Sequence, residues 1–318
     1  MIRVTNLTKR YGALAAVDDI SFHVERGTVV GFLGPNGAGK TTTIRILACY
    51  QSATSGSATV GGDDVFTNSM AVRRRIGYLP ESAPLYPEMR VREYLHFRGK
   101  LRGMTRPERI EATRRVAERC WLGEFIDRPI GQLSKGMRQR VGLGDAIMHD
   151  PDVLILDEPT VGLDPTQIRE TRNLIRELGR RHTILLSSHI LHDVEQICSD
   201  AMIIASGRIV AAGSLDALRG RFRTGSRIVA EIRGPERELE DKVRALAGVS
   251  RVELAANDGW TRLAVDAAPD RDVREDLFKL TTAQGWSLRE IRREGGSLED
   301  FFVQVTAEQH QRQATALA

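Results

Sequence analysis

The segment GPNGAGKT, residues 34–41, is the feature that most limits how this chain can fold. Three of its eight residues lack a Cβ atom, so the backbone can curl and point successive N–H groups toward one centre. An apolar run, residues 28–33, precedes it, and apolar residues at helical spacing follow from about Lys40. A glycine loop between a buried strand and a helix N-terminus predicts a phosphate-binding site in an α/β domain.

The last two residues of this phosphate loop carry the functional groups that a nucleotide requires. Lys40 supplies a full positive charge for the β- and γ-phosphates, and the Thr41 hydroxyl is a ligand for Mg²⁺. The positive end of the helix dipole adds to this attraction. A plain glycine turn is the competing interpretation, and the position of the motif between strand and helix argues against it.

The second motif is VLILDE, residues 153–158, an apolar strand that ends in two acidic residues. We expect Asp157 to hold Mg²⁺ through its water shell and Glu158 to orient a water for attack on the γ-phosphate. A strand followed by Asp-Glu is, taken alone, more often a solvent-exposed strand end than a catalytic pair. Its combination with the phosphate loop favours the catalytic interpretation.

The order of further motifs extends this pattern over nearly all of residues 1–220. LSKGMRQR, residues 133–140, is similar to an LSGGQ signature and precedes a helix, and residues 162–164 resemble a D-loop. His189 follows a strand as a switch histidine does, and Tyr11 stands where an adenine-stacking aromatic is found. With these motifs the chain closely resembles the nucleotide-binding subunits of ATP-binding cassette (ABC) transporters.

The resemblance implies ATP and Mg²⁺ as cofactors and assigns roles to individual residues. Those implied to bind the nucleotide are Tyr11, Val17, Asn36, Gly37, Ala38, Gly39, Lys40, Thr41, Thr42, Ser134, Gly136 and Asp164. Those implied to act in catalysis are Glu158, His189 and Glu81, and those implied to hold the metal are Thr41, Asp157 and Glu81. In the family, Ser134 and Gly136 would contact ATP that is held by a second copy.

Several of these residues have a simpler explanation. Ser134 is also what an ordinary helix N-cap requires. His189 as a lone histidine is most often a satisfied surface or core residue. Tyr11 is able to pack on Val17 without contacting a base.

Two departures from the family pattern bear on activity. In the signature, Lys135 and Met137 replace the usual glycine and glutamine, but Ser134 and Gly136 remain, so we expect ATP binding across a dimer to persist. Glu81 stands where the family usually has the glutamine of the Q-loop. A carboxylate can ligate Mg²⁺ but adds negative charge and cannot donate as an amide does, which predicts slower or more metal-dependent hydrolysis.

Two further segments resemble the ATPases of ABC-2 type exporters, including those of gliding-motility type. These are residues 77–86, which contain Pro-Leu-Tyr, and SLEDFF, residues 297–302. They favour export. In the family, the region after the Q-loop meets the membrane subunit, which makes residues 85–94 the candidate docking surface. Leu85 and Tyr86 are equally consistent with core residues.

The predicted fold is α/β: a P-loop NTPase core of ABC type with antiparallel β and helical subdomains, and a small ferredoxin-like α+β domain. We place the ATP-binding domain at 1–221, with its helical subdomain at about 88–150 and Tyr94, Leu95, Leu101 and Ile110 as inner residues. Residues 54–62 are predicted to form turns. The accessory domain, 222–306, has the order β-α-β-β-α-β, and residues 307–318 are expected to be a disordered tail.

No apolar run approaches the roughly 20 residues of a membrane span, and residues 1–12 lack a secretion signal. We therefore expect a cytoplasmic protein, peripheral on the inner face of the cell membrane. Its expected partners are a membrane-spanning ABC subunit and a second ATPase, identical or related.

The alternative function is a soluble ABC ATPase that acts on nucleic acid or ribosomes. Residues 73–119 hold 13 basic and 6 acidic side chains, which permits it. The chain has neither a second phosphate loop nor coiled-coil heptads, so no nucleic acid is expected.

Overall fold

A computed structural model describes residues 1–221, 226–268 and 271–294, together with Phe302. The chain divides into two compact units, of which the first includes Met1–Leu215 and the second lies within Asp216–Gln304. The predicted tail, 307–318, and most of the exporter-like segment 297–302 lie outside the described residues.

The first unit contains ten strands and seven α-helices within its described residues. In chain order its strands are β1 (Ile2–Tyr11), β2 (Leu14–Val24), β3 (Val29–Leu33), β4 (Ser55–Val60), β5 (Asp63–Asp64), β6 (Ile76–Leu79), β7 (Val153–Asp157), β8 (Thr183–Ser188), β9 (Asp200–Ala205) and β10 (Arg208–Ser214). Its helices are α1 (Lys40–Leu47), α2 (Ser69–Arg75), α3 (Val91–Leu101), α4 (Arg106–Arg119), α5 (Lys135–Ile147), α6 (Pro165–Gly179) and α7 (Leu191–Ile197). Within the described residues, none of the helices has both the length and the hydropathy of a membrane span.

A six-stranded sheet in the order β10-β9-β3-β8-β7-β6 forms the centre of this unit. All its pairs are parallel except β10 with β9. The strands predicted from the apolar runs at 28–33 and within 153–158 are confirmed as β3 and β7. Strands β6 and β10 were not predicted, because they are short or lie at an edge of the sheet.

An antiparallel sheet in the order β2-β1-β4-β5 packs on the same core. The prediction of turns at 54–62 is wrong, because β4 spans most of this segment. Its Ala58 and Val60 are buried and alternate with more exposed residues, and Val60 pairs with Ile2 of β1. Pairing with a distant strand has therefore overridden a local composition of glycine, serine and threonine.

Helices α3, α4 and α5 form the predicted helical layer. Tyr94 and Leu95 are buried in it, as expected, but Leu101 is 63% exposed and Ile110 is 52% exposed. The prediction that these two residues point inward is wrong. The buried stripe of α4 instead includes Val116, about a third of a turn away from Ile110 around the helix.

Polar contacts hold this layer together and join it to the central sheet. The Arg98 guanidinium of α3 pairs with the Asp145 carboxylate of α5 at 2.8 Å. His149, just after α5, lies 2.9 Å from Arg102 and 3.0 Å from the Ile76 carbonyl oxygen of β6. Burial, reinforced by Arg102, lowers the pKa of His149 to about 3.

The second unit has the ferredoxin-like order predicted from its sequence. Helix α8 (Leu215–Arg221) spans the boundary between the units, and the elements that give this order are β11 (Ser226–Arg233), α9 (Glu236–Arg244), β12 (Val249–Asn257), β13 (Trp260–Ala267), α10 (Arg274–Ala283) and β14 (Ser287–Glu294). The strands form one antiparallel sheet in the order β12-β13-β11-β14, with a core of its own. Helix α10 begins at Arg274, whose backbone N–H donates a hydrogen bond to the Asp272 side chain.

Candidate functional site

The phosphate loop joins β3 to α1, and its glycines are required by close backbone contacts. Gly39 has φ +106°, and a Cβ atom there would lie 2.5 Å from the Ala16 carbonyl oxygen. A Cβ atom at Gly34 would lie 2.4 Å from the Ile204 carbonyl oxygen. Any side chain at these positions would push the loop away from the sheet, so the tight curl depends on glycine.

Lys40 begins α1 and points into the concave side of the loop. Its side chain is 6% exposed, and its Nζ donates to the Gly34 carbonyl oxygen at 2.7 Å. The same atom lies 3.5 Å from Glu158 Oε1, although Glu158 is 118 residues away in sequence. Asn36 and Gly37 form the exposed rim of the loop, and Ala38 is buried beneath it.

Asp157 ends β7 next to the phosphate loop. Its Oδ1 accepts hydrogen bonds from Ser187 Oγ at 2.6 Å and from Thr41 Oγ1 at 3.4 Å. Its Oδ2 is buried and has no hydrogen-bond partner within the described residues. Burial raises the pKa of Asp157, while the Ser187 and Thr41 bonds oppose that rise.

These groups fit Mg²⁺, which prefers hard oxygen ligands and binds proteins through one or two carboxylates. The metal ligands that these residues offer are the unpaired Asp157 Oδ2 and the Thr41 hydroxyl oxygen. No group of three His, Cys, Asp or Glu side chains suited to a metal occurs in the described parts of the chain. The remaining ligands of a cation here would therefore be water or phosphate oxygens.

Glu158 occupies the centre of the site. Its backbone has φ +50°, a left-handed conformation that is rare for glutamate, and its N–H donates to Ser187 Oγ at 3.0 Å. Its carboxylate is 7% exposed and contacts Lys40 through Oε1 and His189 through Oε2, the latter at 2.9 Å. Strained backbone that is held by surrounding contacts is typical of functional residues.

His189 lies at the mouth of the site, with a side chain that is 43% exposed. It follows β8, whose neighbour in the sheet is β7, so parallel pairing of Ser187 with Asp157 brings His189 beside Glu158. Three motifs that are far apart in sequence are thus joined by direct side-chain contacts.

Tyr11 lies on β1 and Val17 on β2, the neighbouring strands of the antiparallel sheet, near the phosphate loop. Tyr11 is 50% exposed, and its hydroxyl donates to Gln51 Oε1 at 2.9 Å. Gln51 in turn donates to the Thr42 carbonyl oxygen at 3.1 Å, which links Tyr11 to α1. Val17 is fully buried, and its methyl group would lie 3.4 Å from a Cβ atom at Gly39.

Glu81 is exposed two residues after β6. Within the described residues it makes no hydrogen bond or ion pair, although its charge contributes slightly to the raised pKa of Asp157. Strand β6 is the parallel neighbour of β7, with Leu79 opposite Leu156. The Glu81 carboxylate therefore follows the same edge of the sheet as the acidic pair.

The signature and D-loop residues begin two helices. Ser134 caps α5 by accepting from the Met137 N–H at 3.2 Å, and Asp164 caps α6 by accepting from the Gln167 N–H at 2.9 Å. A Cβ atom at Gly136 would lie 2.2 Å from Gln167 Oε1, so the two helix N-termini are in contact. Ser134 therefore has the capping role that its simpler explanation assigns.

The structure brings the phosphate loop, Asp157, Glu158 and His189 together, but it does not bring the signature to them. Across residues 1–221, no hydrogen bond or ion pair connects Ser134 or Gly136 with the phosphate loop. Two supporting residues were missed from the sequence: Gln51 and Ser187. Ser187 carried one usable signal, its position two residues before His189.

Sequence comparison finds a matching family and similar proteins. The ABC transporter family matches residues 17–161. The chain is 35% identical to the bacitracin transport ATP-binding protein BcrA of Bacillus licheniformis, over 96% of this chain and 97% of the relative. It is also 35% identical to the Nod factor export ATP-binding protein I of Paraburkholderia xenovorans, over 98% of each chain.

Structural comparison gives a consistent result. A solved structure described as the ATP binding subunit of an ABC transporter superposes with a TM-score of 0.65 and 31% sequence identity. The match covers 70% of this chain and 93% of the other.

Proposed function

The chain belongs to the family of ABC transporter ATP-binding subunits, which hydrolyse ATP, and on that premise we propose that two copies enclose ATP and drive export through a separate membrane subunit. One observation carries the proposal. Lys40, Asp157, Glu158 and His189 form a connected group within one chain, whereas Ser134 at the tip of the signature helix is not linked to it. A second copy is the natural source of the missing half.

In this proposal the phosphate loop binds the triphosphate. Backbone N–H groups of residues 36–42 and the positive end of α1 face the phosphate oxygens, and Lys40 neutralises the β- and γ-phosphates. Thr41 and the free Oδ2 of Asp157 are the groups that would hold Mg²⁺. Mg²⁺ bound there supplies positive charge that offsets the charge of the phosphates.

Glu158 is the proposed base that orients the attacking water. One oxygen of its carboxylate contacts Lys40 and the other contacts His189. A bound γ-phosphate would therefore compete with Glu158 for the Lys40 ammonium group. A γ-phosphate that draws Lys40 away leaves one oxygen of Glu158 available to accept a proton from water. His189 keeps the other oxygen oriented and is placed to contact the phosphate.

The second copy completes the site by presenting the N-terminus of its α5. The Ser134 hydroxyl, the Gly136 backbone and the helix dipole together form an anion-binding end that suits a γ-phosphate. ATP bound in this way stabilises the closed pair over separate chains, which is the difference in affinity that a switch requires. The partner is an identical chain or a related ATPase.

The proposed contact with the membrane subunit centres on Tyr86. This residue is 45% exposed. The centroid of its ring lies 6.1 Å from that of Tyr94 and 5.8 Å from that of Phe97. Tyr94 itself is buried, so the candidate docking surface 85–94 is narrower than expected and Tyr94 supports it from below. This docking would hold the protein on the inner face of the cell membrane.

Transport is supported by the name of the bacitracin relative, and export by the name of the Nod factor relative. Both align with this chain over nearly their whole length, including the second unit. Action on ribosomes or nucleic acid has no such support. The identity of the cargo would be set by the membrane subunit.

Replacing Glu158 by Gln tests the proposal. We expect phosphate release to fall at least about 100-fold, since general-base catalysis contributes on the order of 10²–10⁴. We also expect a dimer in the presence of ATP and Mg²⁺, but not ADP, measured by light scattering. Glu118→Gln, on an exposed helix face, is the matched control. Full turnover by Glu158→Gln, or a monomer at saturating ATP, would contradict the proposal.

A further inference from the structure

Asp193 is a buried carboxylate that lies near the catalytic group without touching it. It stands on the first turn of α7 and is 2% exposed. The Thr160 hydroxyl donates to its Oδ2, and the Arg172 guanidinium of α6 pairs with its Oδ1. Both oxygens are therefore satisfied, each by a different segment of the chain.

The bond between Thr160 and Asp193 joins the segment that follows Glu158 to the segment that follows His189. Thr160 is two residues after Glu158, and Asp193 is four residues after His189. At their near ends, the segments are joined by the 2.9 Å contact between His189 Nδ1 and Glu158 Oε2. At their far ends they are joined by the bond from Thr160 to Asp193. The contacts close a ring of short chain segments.

The starting points of both segments are also fixed. They leave the ends of β7 and β8, where Asp157 pairs with Ser187 in the parallel sheet. The Glu158 backbone, in its left-handed conformation, is held by its bond to the Ser187 hydroxyl. The link between Thr160 and Asp193 further restricts the direction in which each segment leaves the sheet.

Burial makes this link specific. Thr160 is 3% exposed, so its hydroxyl has little access to water as an alternative partner. Arg172 has an 18% exposed side chain and neutralises the charge of Asp193. Loss of either polar group of the Thr160–Asp193 pair leaves the other unsatisfied in a buried place, which favours a shift of the loop.

We propose that Asp193, through Thr160, is a positioning residue for ATP hydrolysis: it sets the alignment of the Glu158 carboxylate with the His189 ring. The proposal rests on the roles given above to these two residues. It predicts an effect on the chemical step and little effect on ATP binding, because the side-chain bonds of Thr160 and Asp193 are made to each other and to Arg172, not to the phosphate loop.

A matched pair of substitutions at Thr160 tests this role. Thr160→Val keeps the shape and removes the hydroxyl, whereas Thr160→Ser keeps the hydroxyl and removes a methyl group. We expect Val to lower kcat about tenfold or more, since small misplacements of reacting groups are costly. We expect Ser to retain kcat within about twofold. A residue that served packing alone would give the opposite order, because Val fills the buried site better.

The second measurement separates binding from chemistry. The KM for ATP of Thr160→Val should stay within about twofold of the parent value. In a Glu158→Gln background, Thr160→Val should still form the ATP-dependent dimer. Asp193→Asn, which removes the charge that pairs with Arg172, should lower kcat in the same way as Thr160→Val, with circular dichroism confirming a folded chain.

Each failure has a distinct meaning. An unchanged kcat in Thr160→Val, or equal losses in Thr160→Val and Thr160→Ser, would overturn the positioning role. So would a loss of ATP affinity as large as the loss of kcat. Absence of an ATP-dependent dimer in Glu158→Gln alone would instead overturn the proposed function.

Discussion

The ammonium group of Lys40 lies 3.5 Å from Glu158 Oε1, and both side chains are almost fully buried. The proposed phosphate-binding cation and the proposed base are thus an ion pair within one chain. Binding of a γ-phosphate at Lys40 would disturb that pair directly. This gives a physical link between occupancy of the site and the readiness of Glu158 to accept a proton.

Replacing Lys40 by Ala should weaken ATP binding at least about tenfold and lower turnover at least about 100-fold, because a charge-assisted contact to phosphate and the partner of a buried carboxylate are both lost. Titration with a fluorescent ATP analogue measures the first effect and phosphate release the second. Lys100→Ala, at an exposed position on α3, is the control and should match the parent protein. Unchanged affinity and turnover in Lys40→Ala would remove Lys40 from the site.

Replacing Tyr11 by Ala should weaken ATP binding about tenfold, since stacking of a base on an aromatic ring contributes roughly 1–3 kcal/mol. Tyr11→Phe keeps the ring and loses only the hydroxyl that bonds to Gln51. It should bind ATP within about twofold of the parent protein. Equal binding by Tyr11→Ala and the parent would show that Tyr11 does not stack on adenine.

Replacing Glu81 by Gln tests the departure from the Q-loop pattern. The exposed Glu81 carboxylate adds negative charge near Asp157, so its removal should change both the ATPase rate and the Mg²⁺ concentration that gives half-maximal activity. We expect faster hydrolysis with less dependence on Mg²⁺. Identical rates and Mg²⁺ curves for the two proteins would exclude a role for Glu81.

The parts of the site that could be predicted from sequence are those fixed by local chemistry. The glycines at 34 and 39 are required by backbone contacts, and Asp157 and Glu158 by their place at the end of an apolar strand. These constraints leave a recognisable spacing. The ferredoxin-like order of the second unit was predictable for a similar reason, since its strands alternate regularly.

The parts that could not be predicted depend on distant neighbours. Ser187 supports Asp157 only because β7 and β8 are adjacent, and β4 is a strand only because it pairs with β1. Leu101 looked like an inner residue from its apolar side chain, but no neighbouring element covers it sufficiently and it remains 63% exposed. Periodicity identifies a helix face, whereas burial depends on what packs against it.

The stability of the first unit should depend on pH through His149, whose pKa is lowered to about 3 by burial. The unfolded chain takes up a proton at this residue below about pH 6.5, whereas the folded chain does not, so stability is lost as the pH falls. We expect a loss of about 1 kcal/mol between pH 7 and pH 5.5.

Urea unfolding, followed by circular dichroism at both pH values, measures this effect. His149→Gln removes the titrating group, so its stability should fall less between the two pH values, by about the same 1 kcal/mol. Equal pH dependence in the two proteins would mean that His149 titrates normally in the folded chain.

The central claim is that ATP is hydrolysed only between two chains, because the signature of one completes the phosphate site of the other. The direct measurement is ATPase activity per chain over a wide range of protein concentration, with the fraction of dimer measured by light scattering in the same MgATP solution. The account predicts that activity per chain rises in proportion to the dimer fraction and approaches zero where only monomer is present. Full activity from a solution of monomers would contradict it.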